Sequence, residues 1–213
     1  MKSTQAGGVA GIVAVVALLV VSFMVPAPPG VDEPASEYLA YLVDNRSMLM
    51  AQSSLSLLPT FPLLLFVPSF RRFLGASEDK NQVLAEGASL GIVAGWAIGI
   101  LVSFQSGALA FLSESTLDEA QARNLMISLT VGYTAAVVLW GAAALLAGLA
   151  LIGEKGAARW AGWFGVAVAI LTAASLLGWD DDGVFAVGQL MFVAYLANFA
   201  FLLFGSVLLV RRK

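Results

Sequence analysis

The chain has 213 residues, of which 60% are hydrophobic and only 12% charged, and its mean hydropathy is +0.89. A soluble domain of this size would expose large apolar patches, and the formal net charge of −3 comes with no basic patch for a nucleic acid. Because the sequence contains no His and no Cys, it excludes His-ligated haem, HExxH zinc sites, thiolate nucleophiles, disulfides and Ser-His pairs. We therefore predict no metal, no cofactor and no enzymatic activity.

Six apolar runs are each long enough to cross a bilayer as a helix, since a span takes about 20 residues. They predict an all-α, polytopic membrane helix bundle, a single domain over residues 1–213, with helices at 8–25, 47–68, 84–112, 125–152, 158–177 and 184–210. The first run follows Lys2 and resembles a secretory signal, but we interpret it as a retained anchor.

The positions of the basic residues predict the orientation of these helices. Nine of the 11 Lys and Arg fall at the chain ends or in or beside the second and fourth loops, leaving Arg46 and Arg123 on the other side. Cytoplasmic loops are enriched in Lys and Arg, so we predict that both termini are cytoplasmic. Trp160, Trp163 and Trp179 fit aromatic belts at the two ends of the fifth helix.

The first connection, residues 26–46, is the longest piece outside the predicted spans. It opens with the sequence Pro-Ala-Pro-Pro-Gly, which favours an extended or turning path. Tyr38, Leu39, Tyr41 and Leu42 then follow at helical spacing. This pattern is typical either of a short amphipathic helix on the outer interface or of a segment that re-enters the second helix, and we favour re-entry.

The third predicted helix carries small residues at every fourth position: Gly87, Gly91, Gly95, Gly99, Ser103 and Gly107. This small-xxx-small pattern indicates close helix packing. Four residues turn a helix by about 400°, so the stripe rotates by roughly 200° and needs at least two neighbours. We expect a central helix that also contacts the first helix through Gly7 and Gly11. Static packing is the interpretation that we favour over a sliding helix or a narrow path.

Polar side chains within three spans group at similar depth, in the middle or outer half of the bilayer: Gln52, Ser53, Ser56 and Thr60; Thr130, Tyr133 and Thr134; Tyr195 and Asn198. One interpretation is an outward polar chamber that binds the polar end of a lipid-like molecule. The other, which we favour, is hydrogen bonding between helices, worth about 0.6 kcal/mol per contact. Trp96 and Trp140 lie nearby and would either stack on a flat ligand or pack beside the glycine stripe, and we favour packing.

Charged residues are almost absent from the spans, the exceptions being Glu86 and Arg159 at cytoplasmic helix ends. Proton relays, voltage sensors and ion-coupled pumps place such groups deep in the membrane, so these mechanisms are disfavoured. The acidic triplet Asp180, Asp181 and Asp182 is interpreted as a solvated turn, because three adjacent carboxylates cannot all reach one cation.

Three short segments resemble a known family: Glu37 to Ala40, Asp44 to Arg46, and Arg159-Trp160 at the start of the fifth helix. Together with the order of six helices, they look like the bacterial membrane family catalogued as domain of unknown function 4386. The resemblance implies a multi-helix fold in the bacterial cytoplasmic (inner) membrane. It implies no activity and assigns no site residue.

Our leading hypothesis for function is a non-enzymatic membrane protein that binds a lipid or hydrophobic small molecule, or that serves as an accessory subunit of a membrane assembly. The alternative is a small facilitative transporter with an outward-facing polar chamber, although Pro59 and Pro62 have no counterpart in a later span. We expect membrane lipids as partners, with a membrane protein or a second copy of the chain as further candidates, and no nucleic acid.

Overall fold

The computed structural model describes residues 3–75, 79–113, 116–177 and 189–212. In these ranges the regular structure is α-helical, and the helices are α1 (Ser3–Ser22), α2 (Ala35–Asp44), α3 (Arg46–Leu55), α4 (Thr60–Leu74), α5 (Asp79–Leu112), α6 (Glu119–Ile152), α7 (Ala157–Ser175) and α8 (Gln189–Arg211). Trp179, the acidic triplet at 180–182 and the predicted start of the sixth span at 184–188 lie outside the described residues.

Five helices, α1, α5, α6, α7 and α8, are long and apolar enough to cross a membrane, and α3 with α4 makes a sixth candidate if the pair is one span. The chain is therefore an all-helical, multi-pass membrane protein with five or six candidate spans. Several helices begin earlier than predicted. For example, α5 begins at Asp79 and α6 at Glu119, because polar first turns can extend a helix beyond the apolar run.

The predicted span at 47–68 is divided between two helices. Helix α3 ends at Leu55, α4 begins at Thr60, and their axes differ by 40°. Pro59 and Pro62 explain the break, since neither ring nitrogen can donate to the carbonyl four residues earlier and each ring clashes with that carbonyl. Helix α4 then continues past Pro68 to Leu74, so Arg71 and Arg72 lie in its last turn.

The start of α6 is fixed by a capping box. The Asp118 side chain accepts a hydrogen bond from the Gln121 backbone N–H at 2.7 Å, and the Gln121 side chain accepts from the Asp118 N–H at 3.3 Å. We expect Asp118→Ala to cost about 1 kcal/mol, because it leaves an N-terminal N–H without its partner. In detergent this should lower Tm by about 2–4 °C. Glu119→Ala, which removes a neighbouring carboxylate but not the cap, is the control, and an equal loss in both variants would contradict the assignment.

The helices alternate in direction, so the bundle has two opposite ends. We call the end that carries α2 the α2 face and the other end the basic face. Arg71 pairs with Glu86 across α4 and α5 at the basic face, and the Arg212 guanidinium lies 5.1 Å from the centre of the Phe73 ring. The basic residues in the described helices and loops at this face are Arg71, Arg72, Lys80, Lys155, Arg159, Arg211 and Arg212. The other two described arginines, Arg46 and Arg123, lie in the first turns of α3 and α6 at the α2 face.

Contacts between helices follow the ring α1, α4, α5, α6, α7, α8 and back to α1, and α6 also reaches α8 and α2. The half of the bundle near the basic face is densely filled, with Phe66, Phe70, Phe199 and Leu209 almost completely buried. A second cluster joins Tyr38 and Leu42 of α2 to α3, α5 and α6 near the α2 face. The segment at 35–44 is therefore a helix packed on the bundle.

The glycine stripe of α5 lies against two neighbouring helices. A Cβ atom added at Gly91 would lie 2.9 Å from the Leu139 carbonyl oxygen of α6. At Gly107 the nearest atoms belong instead to Ser53 of α3. Gly87 and Gly95 also face α6. The stripe thus rotates from α6 to α3 along its length, as its four-residue spacing requires.

The expected contact of the stripe with α1 is wrong. Gly7 approaches Ser69 of α4, whereas Gly11 approaches Phe66 of α4 and Ser206 of α8. These small residues do serve close packing, but they bring α1 between α4 and α8. Sequence spacing identifies a face suited to close approach and does not identify the partner, because any helix with a complementary groove can fill it.

Candidate functional site

Tyr133 is exposed at a position where its helix is otherwise buried. Residues four and seven positions away share a helix face, and here those residues are Met126, Leu129, Val137 and Trp140. Their exposed fractions are 6%, 8%, 2% and 6%, whereas that of Tyr133 is 37%. The Tyr133 side chain therefore borders open space on the inward face of α6.

The neighbours of α6 show that this space lies inside the bundle. On one side of Tyr133, a Cβ atom at Gly132 would lie 2.8 Å from Val102 of α5. On the other side, the Thr134 hydroxyl donates to the Met191 sulfur of α8 at 3.0 Å. Tyr133 thus points between α5 and α8 and away from the lipid-facing surface. We call this space the recess and define it by Ser22, Tyr41, Gly99, Ser103, Tyr133 and Tyr195.

The wall of the recess carries hydroxyl groups from several helices. The Tyr133 hydroxyl lies close to the side chain of Ser103 on α5. The Tyr195 hydroxyl of α8 and the Ser22 hydroxyl of α1 are 2.5 Å apart, and either can donate. Tyr133 also interacts electrostatically with Tyr195 and with Tyr41 of α2. Three phenols from three helices therefore surround one space.

Helix α2 and the segment before it lie over the recess at the α2 face. The Tyr41 hydroxyl donates to the Pro26 carbonyl at 3.0 Å, and the Tyr38 hydroxyl donates to the Gly30 carbonyl at 2.7 Å. Arg123 of α6 donates to the Val31 carbonyl at 2.8 Å. Hydrogen bonds at three points thus hold residues 26–31 against α2 and α6.

Burial raises the pKa of Tyr41 to about 12, and the nearby Tyr133 phenol adds to this effect. Burial also raises the pKa of Tyr38, although the hydrogen bond and positive charge of Arg123 act in the opposite direction. Both phenols therefore stay protonated at neutral pH and keep their donor hydrogens.

Aromatic side chains close the floor of the recess. The ring of Trp140 lies 5.9 Å from that of Tyr195 and 5.7 Å from that of Phe199, and its indole N–H donates to the Ile92 carbonyl at 3.4 Å. Below it is a cavity of about 10 Å³ beside Asn198 and Phe201. This volume is at the lower limit for one water molecule, so the open space does not continue toward the basic face.

Most of the polar residues predicted to form one chamber make hydrogen bonds between helices instead. Gln52 donates to the Val21 carbonyl of α1 at 2.8 Å, and Ser53 donates to the Ser103 carbonyl of α5 at 2.6 Å. The Trp96 indole N–H donates to the Thr60 hydroxyl at 3.1 Å.

Other predicted residues satisfy backbone carbonyls close to them in the chain. Ser56 donates to the Ser53 carbonyl, Thr130 to the Met126 carbonyl and Thr134 to the Thr130 carbonyl. Asn198 is only 1% exposed and donates to the Thr172 hydroxyl of α7 at 3.2 Å. Of the predicted set, the structure brings Tyr133 and Tyr195 together at the recess, with Trp140 as its floor.

Three residues of the recess do not follow from the sequence: Ser22, Tyr41 and Gly99. Ser22 is a lone polar residue at the end of α1, and the position of Tyr41 suits an interfacial anchor equally well. The stripe pattern assigns Gly99 to packing, yet a Cβ atom there would find its nearest neighbour, Trp140 Cη2, at 4.0 Å. A single polar residue near a helix end carries little sequence signal, and the openness of Gly99 depends on how three helices diverge around it.

The recess has no charged neighbour among the described residues that acts on Tyr133 or Tyr195. The described part of the chain also contains no group of three or more Asp, Glu, His or Cys placed to hold a metal ion. The chemistry of this site is therefore that of neutral hydroxyl groups against aromatic and aliphatic walls.

Comparison with protein-family models, with curated proteins and with solved structures finds no match for this chain.

Proposed function

We propose that this protein is a non-enzymatic membrane protein that binds a lipid or other hydrophobic small molecule in the recess. The observation that carries the proposal is the 37% exposure of Tyr133 on the inward face of α6. Soluble protein interiors and membrane bundles are close-packed, so an open space bordered by a large side chain is a site for an occupant.

The lining of the recess supports an amphipathic occupant. Hydroxyl groups of Ser22, Tyr133 and Tyr195 offer hydrogen bonds, while the ring of Trp140, packed on Tyr195 and Phe199, provides an apolar floor. Small-molecule sites commonly combine an apolar wall with a few convergent polar groups. The closed floor at Trp140 favours binding over passage, because a molecule entering from the α2 face meets packed side chains.

Tyr133→Leu should lower retention of the bound molecule about tenfold or more, because it removes both the hydroxyl and the ring from the wall. The measurement is native mass spectrometry with lipid extraction on protein purified gently from its own membrane. Val131→Leu is the matched control, since Val131 lies two residues away and is exposed on the outer surface of α6. Equal retention in wild type and Tyr133→Leu would overturn the proposal. A protein bound at fixed ratio would favour the accessory-subunit hypothesis.

We also propose that the basic face is cytoplasmic, that the membrane is the bacterial cytoplasmic membrane, and that the chain is a relative of domain of unknown function 4386. The positive-inside rule supports the orientation, since seven described basic residues lie at the basic face against two at the α2 face. The chain has no native cysteine, which makes labelling specific. Thr116→Cys should react with an impermeant thiol reagent from outside, and Gly153→Cys should not. The reverse pattern would invert the orientation and place the recess on the cytoplasmic side.

The break between α3 and α4 favours the second candidate, a small facilitative transporter. Discontinuous helices form the substrate sites of many transporters, and this 40° bend lies within the membrane span. In that case Pro59→Ala with Pro62→Ala should straighten the span and abolish flux in proteoliposomes. Wild-type flux no greater than that of empty vesicles would exclude this candidate for the solutes tested.

A further inference from the structure

We infer that the recess selects a lipid whose polar end is uncharged and bears a hydrogen-bond-accepting oxygen, such as a carbonyl, over a lipid with a phosphate head. This inference rests on the proposed binding function and names the chemical class of the ligand. Three independent features of the described residues support it: the lack of a counter-ion, the donor hydrogens of the hydroxyl groups and the acidic surface of α2 and the segment before it, which lie over the recess.

The first feature is the lack of a counter-ion at the phenols. A charged group within a membrane bundle must be paired, because neither lipid nor an apolar wall replaces its hydration. Of the two described arginines at the α2 face, Arg123 donates to the Val31 carbonyl, and the Arg46 guanidinium lies 5.7 Å from the centre of the Phe111 ring; neither acts on Tyr133 or Tyr195. A phosphate at Tyr133 and Tyr195 would therefore have no described counter-ion beside it.

The second feature is the hydroxyl chemistry. Tyr195 and Ser22 carry two hydroxyl hydrogens and use one of them in the 2.5 Å bond between them. The other hydrogen is left for an acceptor, and a neutral carbonyl or hydroxyl oxygen is a suitable one. Tyr133 and the nearby Ser103 bring two further hydroxyl groups to the recess. These donors suit a small polar end inserted among them.

The third feature is the charge of the surrounding surface. Asp32, Glu33, Glu37 and Asp44 lie exposed on α2 and the segment before it. Their negative potential opposes the approach of an anionic head and leaves a neutral one unaffected.

The test uses two probes with identical chains, 1,2-dioctanoylglycerol and 1,2-dioctanoyl phosphatidic acid, which differ by the phosphate. Each is titrated into the delipidated full-length chain in a neutral detergent, with bound mass read by native mass spectrometry. We expect dioctanoylglycerol to bind at least tenfold more tightly than dioctanoyl phosphatidic acid. Tenfold corresponds to a difference of about 1.4 kcal/mol in the free energy of binding. A parallel titration with decylubiquinone shows whether the recess prefers a ring carbonyl or the ester carbonyl of dioctanoylglycerol. Tight binding of either neutral probe supports the inference.

Equal or tighter binding of phosphatidic acid would overturn the inference about the polar end and leave the binding function intact. If none of the three probes binds but untreated protein still retains a native molecule, the inferred chemical class of the ligand is wrong and the binding function stands. Failure of all three with no retained molecule would overturn the proposed function as well. Tyr195→Phe, which removes one donor but keeps the ring, should weaken binding of the neutral probe about threefold to tenfold and leave that of phosphatidic acid unchanged.

Discussion

Gly148→Leu should destabilise the protein strongly, because α6 and α7 leave no space for a side chain where they meet. A Cβ atom at Gly148 would lie 2.7 Å from the Gly162 carbonyl oxygen and 3.1 Å from the Val166 backbone nitrogen. Both are backbone atoms of α7, so the whole helix must move to admit a side chain. Overpacking costs about 1–3 kcal/mol where side chains can adjust, and more where they cannot. A loss of about 3 kcal/mol corresponds to a drop in Tm of about 6–12 °C.

Two other glycines serve as comparison positions for the substitution at Gly148. At Gly87 the nearest atom to an added Cβ is the tip of the flexible Leu146 side chain, at 2.7 Å, which can move aside. At Gly99 the nearest atom is 4.0 Å away. Thermal unfolding of the alanine variants in detergent should give the largest loss at Gly148, a small one at Gly87 and none at Gly99. A loss at Gly99 equal to that at Gly148 would contradict the close contact of α6 with α7.

The sequence predicted the helical membrane architecture because long apolar runs leave few structural alternatives in a bilayer. It was less informative about which helices pack most closely. The four-residue spacing of the α5 stripe predicted close packing, and Gly91 and Gly95 do approach the backbone of α6, but it did not predict the equally close contacts of Gly148, Gly162 and Gly165 between α6 and α7. Those glycines have no regular spacing, so their contact depends on helix placement, which the sequence does not contain.

The roles of the polar residues were likewise predicted only in part from the sequence. Their presence in the spans predicted hydrogen bonds between helices, and Ser53, Trp96 and Asn198 make such bonds. Which phenols remain beside open space could not be predicted. That property depends on the divergence of α1, α3, α5 and α8 near the α2 face and on α2 lying over them. Tyr133 and Asn198 have similar sequence surroundings, but one is 37% exposed and the other 1%.

Gly99→Phe should abolish retention of the bound molecule while leaving the fold intact. The new side chain would project from α5 toward Trp140, where an added Cβ has no neighbour closer than 4.0 Å, and its ring would occupy the recess above Trp140. We expect retention to fall tenfold or more and Tm to stay within about 3 °C of wild type, because the substitution fills space and displaces no described backbone.

Ala97→Phe is the matched control, since Ala97 lies two residues away on the exposed surface of α5 and receives the same ring outside the bundle. It should retain the bound molecule as wild type does. Tyr133→Leu tests whether a contact with the ligand is lost. Gly99→Phe, compared with Ala97→Phe, tests whether the space for the ligand is lost. Unchanged retention in a folded Gly99→Phe protein would place the ligand elsewhere. Equal loss in both variants would show that retention follows general bundle integrity, whereas loss in Gly99→Phe alone locates the occupant at the recess.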